Sequence, residues 1–420
     1  MSRMIDAIEG GLPVIHALLT RRLGATLAAT AAFFLCLQWG YYAIVLAASK
    51  DYVTSFGPVI GGDFAVFHEG AKAAWSGPAA LYGYETLNAR LAEAFPAFAD
   101  EFRLGWQYPP TMHLALAPLA AAPYPVAYGA WVAGGLAAFL LAASSHWRSP
   151  FALLLLAATP AVFQAAITGQ TGLFAGALFL LAAWAPDKRP IVAGLAAGLL
   201  TLKPQLGLLI PIAFAAAGAW RAFAIAAIAA ASLAAAAYGA FGEVSWRAFF
   251  DAAALQGGYM GGSIGGDGRG IVFPLEKLTS IFGAVAVAGA PSTVAIAAQA
   301  VGFLVLAAVV VNVWRGKAGP DTKAAVLMLA SLLATPYGFY YELPIAAGAL
   351  FLLIRSARAT RFLDGEGLGV AALWLAPMFM PGHAAPAVPL VAGATFAAFA
   401  LAARRALHED RAIRRNGVTP

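Results

Sequence analysis

Between Ala25 and Ala47 the chain carries no charged side chain, and apolar stretches of the same kind recur to its end. That recurrence constrains the fold more than any single motif. A helix needs about 20 apolar residues to cross a bilayer. Inside lipid every backbone polar group must find an internal partner, so the spanning elements have to be helices unless strands close a barrel. The short alternating strands of a barrel are not visible. Composition agrees: 61% of the 420 residues are hydrophobic and 11% are charged, against about 25% charged in soluble domains. The sequence therefore predicts an all-α polytopic membrane protein, a single integral domain over residues 1–420.

The charges that remain set the topology. The chain is basic, +6 overall, but its Lys and Arg residues fall between the apolar runs, which marks cytoplasmic loops rather than a nucleic-acid surface. Residues 1–24, with Arg3, Arg21 and Arg22, read as a cytoplasmic amphipathic segment without the cleavage layout of a signal peptide. Residues 49–125 form a first outer loop. Within it "YPPTMHLALAPLAAAPYP" is apolar but short and broken by proline, as expected of a re-entrant or interfacial helix. Residues 241–290 form a second outer loop, Gly-rich at its start, and 404–420 a cytoplasmic basic tail. This threading gives about twelve crossings with both termini inside. The only cysteine, Cys36, lies in the first span, so no intrachain disulfide is possible. Heavy Ala and Gly usage suggests a GC-rich bacterial genome, and a bacterial inner membrane is the expected location.

The threading collects the unusual polar residues on the outer side. Asp63 follows Gly61 and Gly62 and precedes a helical pattern, which fits a helix N-cap; a general base held by a tight turn is the functional alternative. His68 lies one to two turns further on. Glu69 and Lys72 have the i,i+3 spacing of a surface ion pair. Lys203, beside the helix-breaking Pro204 and next to Gln205, is either a snorkelling helix-end lysine or a cation for a lipid phosphate. Gln170 sits in the "TGQTG" turn, with Tyr108, Tyr337, Glu342 and His383 at other outer turns. Arg269 lies in the flexible "GGYMGGSIGGDGRG". The six histidines show no metal-ligand spacing, so neither a metal site nor a cofactor is expected.

In chain order, "GGDFAVFHEGAKAAWSGPAALYGYETL", "YPPTMHLALAPLA", "TGQTGLF", "GLAAGLLTLKPQLGLLIP" and "LLATPYGFYYEL" resemble glycosyltransferase family 87. The likeness runs from Gly62 to about Leu343. The family consists of bacterial polytopic enzymes of the C-type glycosyltransferase fold, related to polyprenol-phosphate-mannose-dependent mannosyltransferases. The resemblance implies a polyprenyl-phosphate sugar donor on the outer leaflet and an acidic catalytic base in the first outer loop, where Asp63 is the matching position. Phe64 and Ala65 follow it, so the second nearby acid of some C-type enzymes is missing. Glu342 stands where relatives often have Asp.

The residues fit that chemistry independently. An acceptor hydroxyl needs a base, the donor already carries a phosphate leaving group, and basic side chains such as Lys203 or Arg269 stabilise the developing charge. The expected enzyme is an inverting hexosyltransferase, with Asp63 as catalytic base. His68, Tyr108, Gln170, Lys203, Gln205, Arg269, Tyr337, Glu342 and His383 are the candidates for holding donor and acceptor. Its expected partners are the lipid-linked donor, a lipid or glycan acceptor and membrane lipids, with no nucleic acid. A transporter or flippase would place polar residues near the bilayer midplane and often show inverted repeats. A polysaccharide polymerase or ligase would show a larger late outer loop with catalytic basic residues. Neither pattern is visible.

Overall fold

The computed structural model describes residues 2–101, 104–261, 275–379 and 389–416. All its named elements are helices, and among the described residues the only β pairing is three isolated bridges. A long first helix, α1 (Ser2–Ala48), leads into the segment expected to lie outside. There α2 (Phe64–Ser76), α3 (Tyr84–Ala94) and α4 (Pro110–Leu116) fold around their own small core of Phe64, Phe67, Leu81, Leu87, Leu91 and Trp106. His113 of α4 is fully buried in this layer; it stacks on Trp106 and its Nδ1 meets the Gly70 carbonyl at 2.8 Å. Glu69 and Lys72 pair at 2.7 Å as the spacing predicts.

The bundle follows: α5 (Tyr124–Ser144), α6 (Pro150–Ala157), α7 (Pro160–Ile167), α8 (Gly172–Ala183), α9 (Pro190–Leu199) and α10 (Ile210–Ala216). Next come α11 (Trp220–Gly261), α12 (Ile281–Val287), α13 (Ser292–Arg315), α14 (Pro320–Ala334), α15 (Pro344–Ala359), α16 (Glu366–Leu375) and α17 (Leu390–Asn416). The hairpin of α14 and α15 is the centre of the bundle. Every residue of α14 from Ala324 to Ala334 is buried, as is every residue of α15 from Pro344 to Leu353. Helices apolar on all sides are the ones a bundle can enclose. Around the hairpin pack α8, α13 and α17.

The all-helical membrane architecture is as expected, but the number of full-length spans is smaller. Among the described residues five helices are long and apolar enough to cross a bilayer: Ala25–Ala48, Tyr124–Ser144, Trp220–Leu255, Ser292–Arg315 and Leu390–Arg415. The pair α6 and α7, bent by 55°, makes up to six if it counts as one broken span. Other expected crossings are shorter helices, and several of them begin on proline: Pro150, Pro160, Pro190, Pro320 and Pro344. Proline fits the first turn of a helix but cannot continue the helix before it, so an apolar run broken by proline becomes two pieces.

Two further segments differ in form from the sequence reading. Residues 241–261, expected as a loop, continue α11 past a kink at Gly242, whose φ of 68° and ψ of 178° break the helical course. Residues 404–416 continue α17, and Arg405 is buried, its guanidinium bonded to both oxygens of Glu366 and to Thr360. The start of this segment, through Glu409, is therefore packed on α14 and α16 and bonded to Ser356 of α15.

Candidate active site

The site begins with the turn before α2. Gly61 and Gly62 take φ of 80° and 49°, a conformation that glycine adopts without strain, and the Tyr124 hydroxyl ties the turn down by donating to the Ile60 carbonyl at 2.5 Å. Asp63 follows at the N-cap position. The capping reading fails there, because its side chain makes no cap hydrogen bond. Its Oδ2 instead accepts from Gln170 Nε2 at 2.6 Å, across 107 residues of sequence.

Gln170 is held by its flanking glycines. Gly169 has φ of 59°, and a Cβ there would lie 2.4 Å from Phe64 Cβ; at Gly172 a Cβ would lie 1.8 Å from the Tyr341 carbonyl oxygen. The "TGQTG" turn is thus pressed between the Asp63 turn and the tip of the α14–α15 hairpin, with no room for side chains at either glycine. Trp131 Nε1 donates to the Gly169 carbonyl at 2.9 Å, and the Tyr108 hydroxyl donates to Gln170 Oε1 at 3.1 Å.

Lys203 joins the same cluster from the break after α9. It is buried, so the snorkelling reading fails. Its ammonium pairs with Glu342, donates to Thr171 Oγ1 at 3.3 Å, and lies over the rings of Tyr108 at 5.4 Å and Tyr341 at 5.1 Å. Glu342 is fully buried, and its Oε2 has no hydrogen-bond partner.

Lys277 completes the arrangement, and the sequence reading passed over it. Residues 275–280 are stapled to the tip of the central hairpin: Thr279 N–H donates to the Gly338 carbonyl at 2.6 Å, Ser280 Oγ donates to the Pro336 carbonyl at 2.9 Å, and Leu278 bridges to Phe339. This strap brings the half-buried Lys277 within electrostatic range of Asp63. Burial pushes the Asp63 carboxyl above the ordinary carboxylate range, while the Gln170 hydrogen bond and the charges of Lys277 and Lys203 pull it back. A lone lysine before the apolar run of α12, on the side that the threading gives to Asp63, was the available signal.

Asp63, Tyr108, Gln170, Lys203 and Glu342 are therefore brought together as one cluster. His68 is not part of it: its Nε2 meets the Ala122 carbonyl at 3.2 Å, its ring packs on Tyr124, and burial lowers its pKa. Tyr337 packs on the separate cluster of Leu278, Phe282, Ala286 and Ala295. Gln205 is half-buried beside Lys203 in sequence. Arg269 and His383 lie outside the described residues. Among the described residues no three His, Cys, Asp or Glu side chains gather as metal ligands.

The arrangement offers one half-buried carboxylate anchored through a single oxygen, a lysine within electrostatic range of it, and an internally neutralised ion pair in the same cluster. No curated protein matches the chain, and no solved structure matches it. The model of glycosyltransferase family 87 matches residues 106–336, more than half of the chain and a stretch that contains Tyr108, Gln170, Lys203 and Lys277. The chain belongs to glycosyltransferase family 87 and is a membrane glycosyltransferase.

Proposed function

We propose that the enzyme moves a hexose from a polyprenyl-phosphate donor to an acceptor hydroxyl at the outer face of the bacterial inner membrane, with inversion at the anomeric carbon. Mannose is the sugar that the family resemblance implies. Asp63 is the base, and the observation that carries the reading is its half-buried carboxylate, fixed at one oxygen by Gln170 with Lys277 in electrostatic range.

In this reading the acceptor O–H gives its proton to Asp63 as its oxygen attacks the anomeric carbon. The bond from that carbon to the phosphate oxygen breaks, and its electron pair leaves on the phosphate. Lys277 offsets that negative charge. Lys203 is less suited to the task, because Glu342 already neutralises its ammonium. Glu342 is equally unsuited to act as a nucleophile, being fully buried against Lys203, and a single free carboxylate supports one displacement rather than two.

The test is a transfer assay on the purified full-length protein in lipid nanodiscs, comparing radiolabelled polyprenyl-phosphate hexoses with nucleotide hexoses. Label should move to a membrane glycolipid or glycan acceptor only from the lipid-phosphate donors. Transfer from nucleotide sugars alone would overturn the proposal.

A further inference from the structure

We infer that Gln170 is a positioning residue that commits one oxygen of Asp63 and leaves the other to take the acceptor proton, with Tyr108 setting the direction in which the Gln170 amide faces. The inference rests on the reading of Asp63 as the base.

A glutamine amide has two ends of nearly the same shape and opposite polarity, and only its hydrogen-bond partners fix which end points where. With the carbonyl end toward Asp63, two oxygens would face each other. The site prevents this from the other side. The Tyr108 hydroxyl donates to Oε1 at 3.1 Å, and the Thr171 N–H points to the same oxygen at 3.4 Å. Nε2 is then the end left for Asp63 Oδ2. Tyr108 is fixed in turn: its ring packs on Phe67 at 5.1 Å and Trp106 at 5.3 Å, and its own carbonyl accepts from Tyr82 at 2.8 Å. The close approaches at Gly169 and Gly172 fix the backbone that carries Gln170.

Two consequences follow for the reaction. Oδ1 accepts no hydrogen bond among the described residues, and it is the oxygen this inference assigns to the substrate hydroxyl. An amide bonded at both ends does not pass a proton along, so the chain from Glu342 through Lys203, Tyr108 and Gln170 orients Asp63 without draining its proton inward. The Gln170 N–H also stabilises the charged form of Asp63 against burial.

The groups within electrostatic range of Asp63 are Lys203 and Lys277 together with Tyr108, Tyr124, Tyr340 and Tyr341. The other carboxylate of the cluster, Glu342, is ion-paired with Lys203, and His68 turns to the Ala122 carbonyl. Comparison with Asp63→Asn is therefore what assigns a carboxyl transition to Asp63.

The experiment is an infrared titration of the full-length protein in nanodiscs. The carboxyl stretch of Asp63 is isolated by difference against Asp63→Asn, and wild type, Gln170→Leu and Tyr108→Phe are compared. Gln170→Leu should raise the titration midpoint by about one pH unit, and Tyr108→Phe should raise it by less. With a polyprenyl-phosphate hexose as donor, both variants should lower kcat, Gln170→Leu by about 10- to 100-fold, while donor KM stays within about twofold. An unmoved midpoint in both variants, or a raised KM at full kcat, would show that Gln170 binds substrate and would overturn the inference. Tyr108→Phe removes a single oxygen, so it keeps the test open if Gln170→Leu folds poorly. Turnover that survives in Asp63→Asn would remove the base reading instead, separately from the midpoints.

Discussion

Glu342 and Lys203 form a buried ion pair that links the tip of the central hairpin to the break after α9, although 139 residues separate them. Buried pairs of this kind are costly to break from one side, because the remaining charge has lost its partner. Glu342→Gln should therefore destabilise the fold by about 3–5 kcal/mol, read as an earlier thermal transition in detergent. The double variant Lys203→Met with Glu342→Leu should recover most of that loss. A single variant as stable as wild type would show that the pair bears no structural weight.

Asp63→Asn should remove about 10²- to 10⁴-fold of the transfer rate without lowering thermal stability, since the side chain caps nothing. Only the ionised carboxylate accepts a proton. Because burial raises the Asp63 pKa, wild-type activity should be full above that raised value and fall as pH drops through it. The acid limb should then lie at higher pH than an ordinary carboxylate would give, and a limb at ordinary carboxylate pH would contradict the burial of the base.

Lys277→Met should raise the donor KM or lower kcat, with thermal stability unchanged, because Lys277 is half-buried on a strap held by backbone bonds. Lys277→Arg should recover part of the activity, keeping the charge and changing its geometry. Identical donor dependence in wild type and Lys277→Met would return the phosphate role to Lys203.

Transfer should proceed unchanged in excess chelator, because Lys277 offsets the leaving-group charge in the proposed reaction. Activity that collapses with chelator and returns with magnesium or manganese would contradict this.

Orientation can be read with single cysteines in a Cys36→Ser background. Ser76 lies at the exposed end of α2, in the segment expected to lie outside, and Lys188 lies in the exposed turn between α8 and α9. Ser76→Cys should react with an impermeant thiol reagent added to intact cells, and Lys188→Cys only after lysis. The reverse pattern would invert the proposed topology.

The all-helical membrane class was legible because apolar runs and loop charges are local properties. The threading put Asp63, Tyr108, Gln170, Lys203 and Glu342 on one side, together with Tyr337 and His383, and the structure gathers those five into one cluster while Tyr337 packs elsewhere. The number of long spans was not, because proline cuts runs such as residues 150–167 into short bent pieces that hydropathy alone joins. The partners of Asp63 were hidden for a different reason: spacing favoured a local cap, whereas its actual contact is 107 residues away. Whether Lys203 was a snorkelling helix end or a phosphate cation could not be settled from the sequence, because its counter-charge, Glu342, lies 139 residues away at the tip of the central hairpin. Lys277 was missed because its place depends on the backbone pairing of residues 275–280 with 336–339, which no side-chain pattern announces.

The α14–α15 hairpin carries Glu342 at its tip, and its arms are buried throughout from Ala324 to Ala334 and from Pro344 to Leu353. Its amides should be among the slowest in the protein to exchange with heavy water. The strap bearing Lys277 is half-buried and should exchange sooner. A loosening that spares the hairpin would then free the cation first and leave Tyr341 and Glu342 in place. Mild heating or harsher detergent should therefore weaken donor capture before it disturbs the floor on which the base rests.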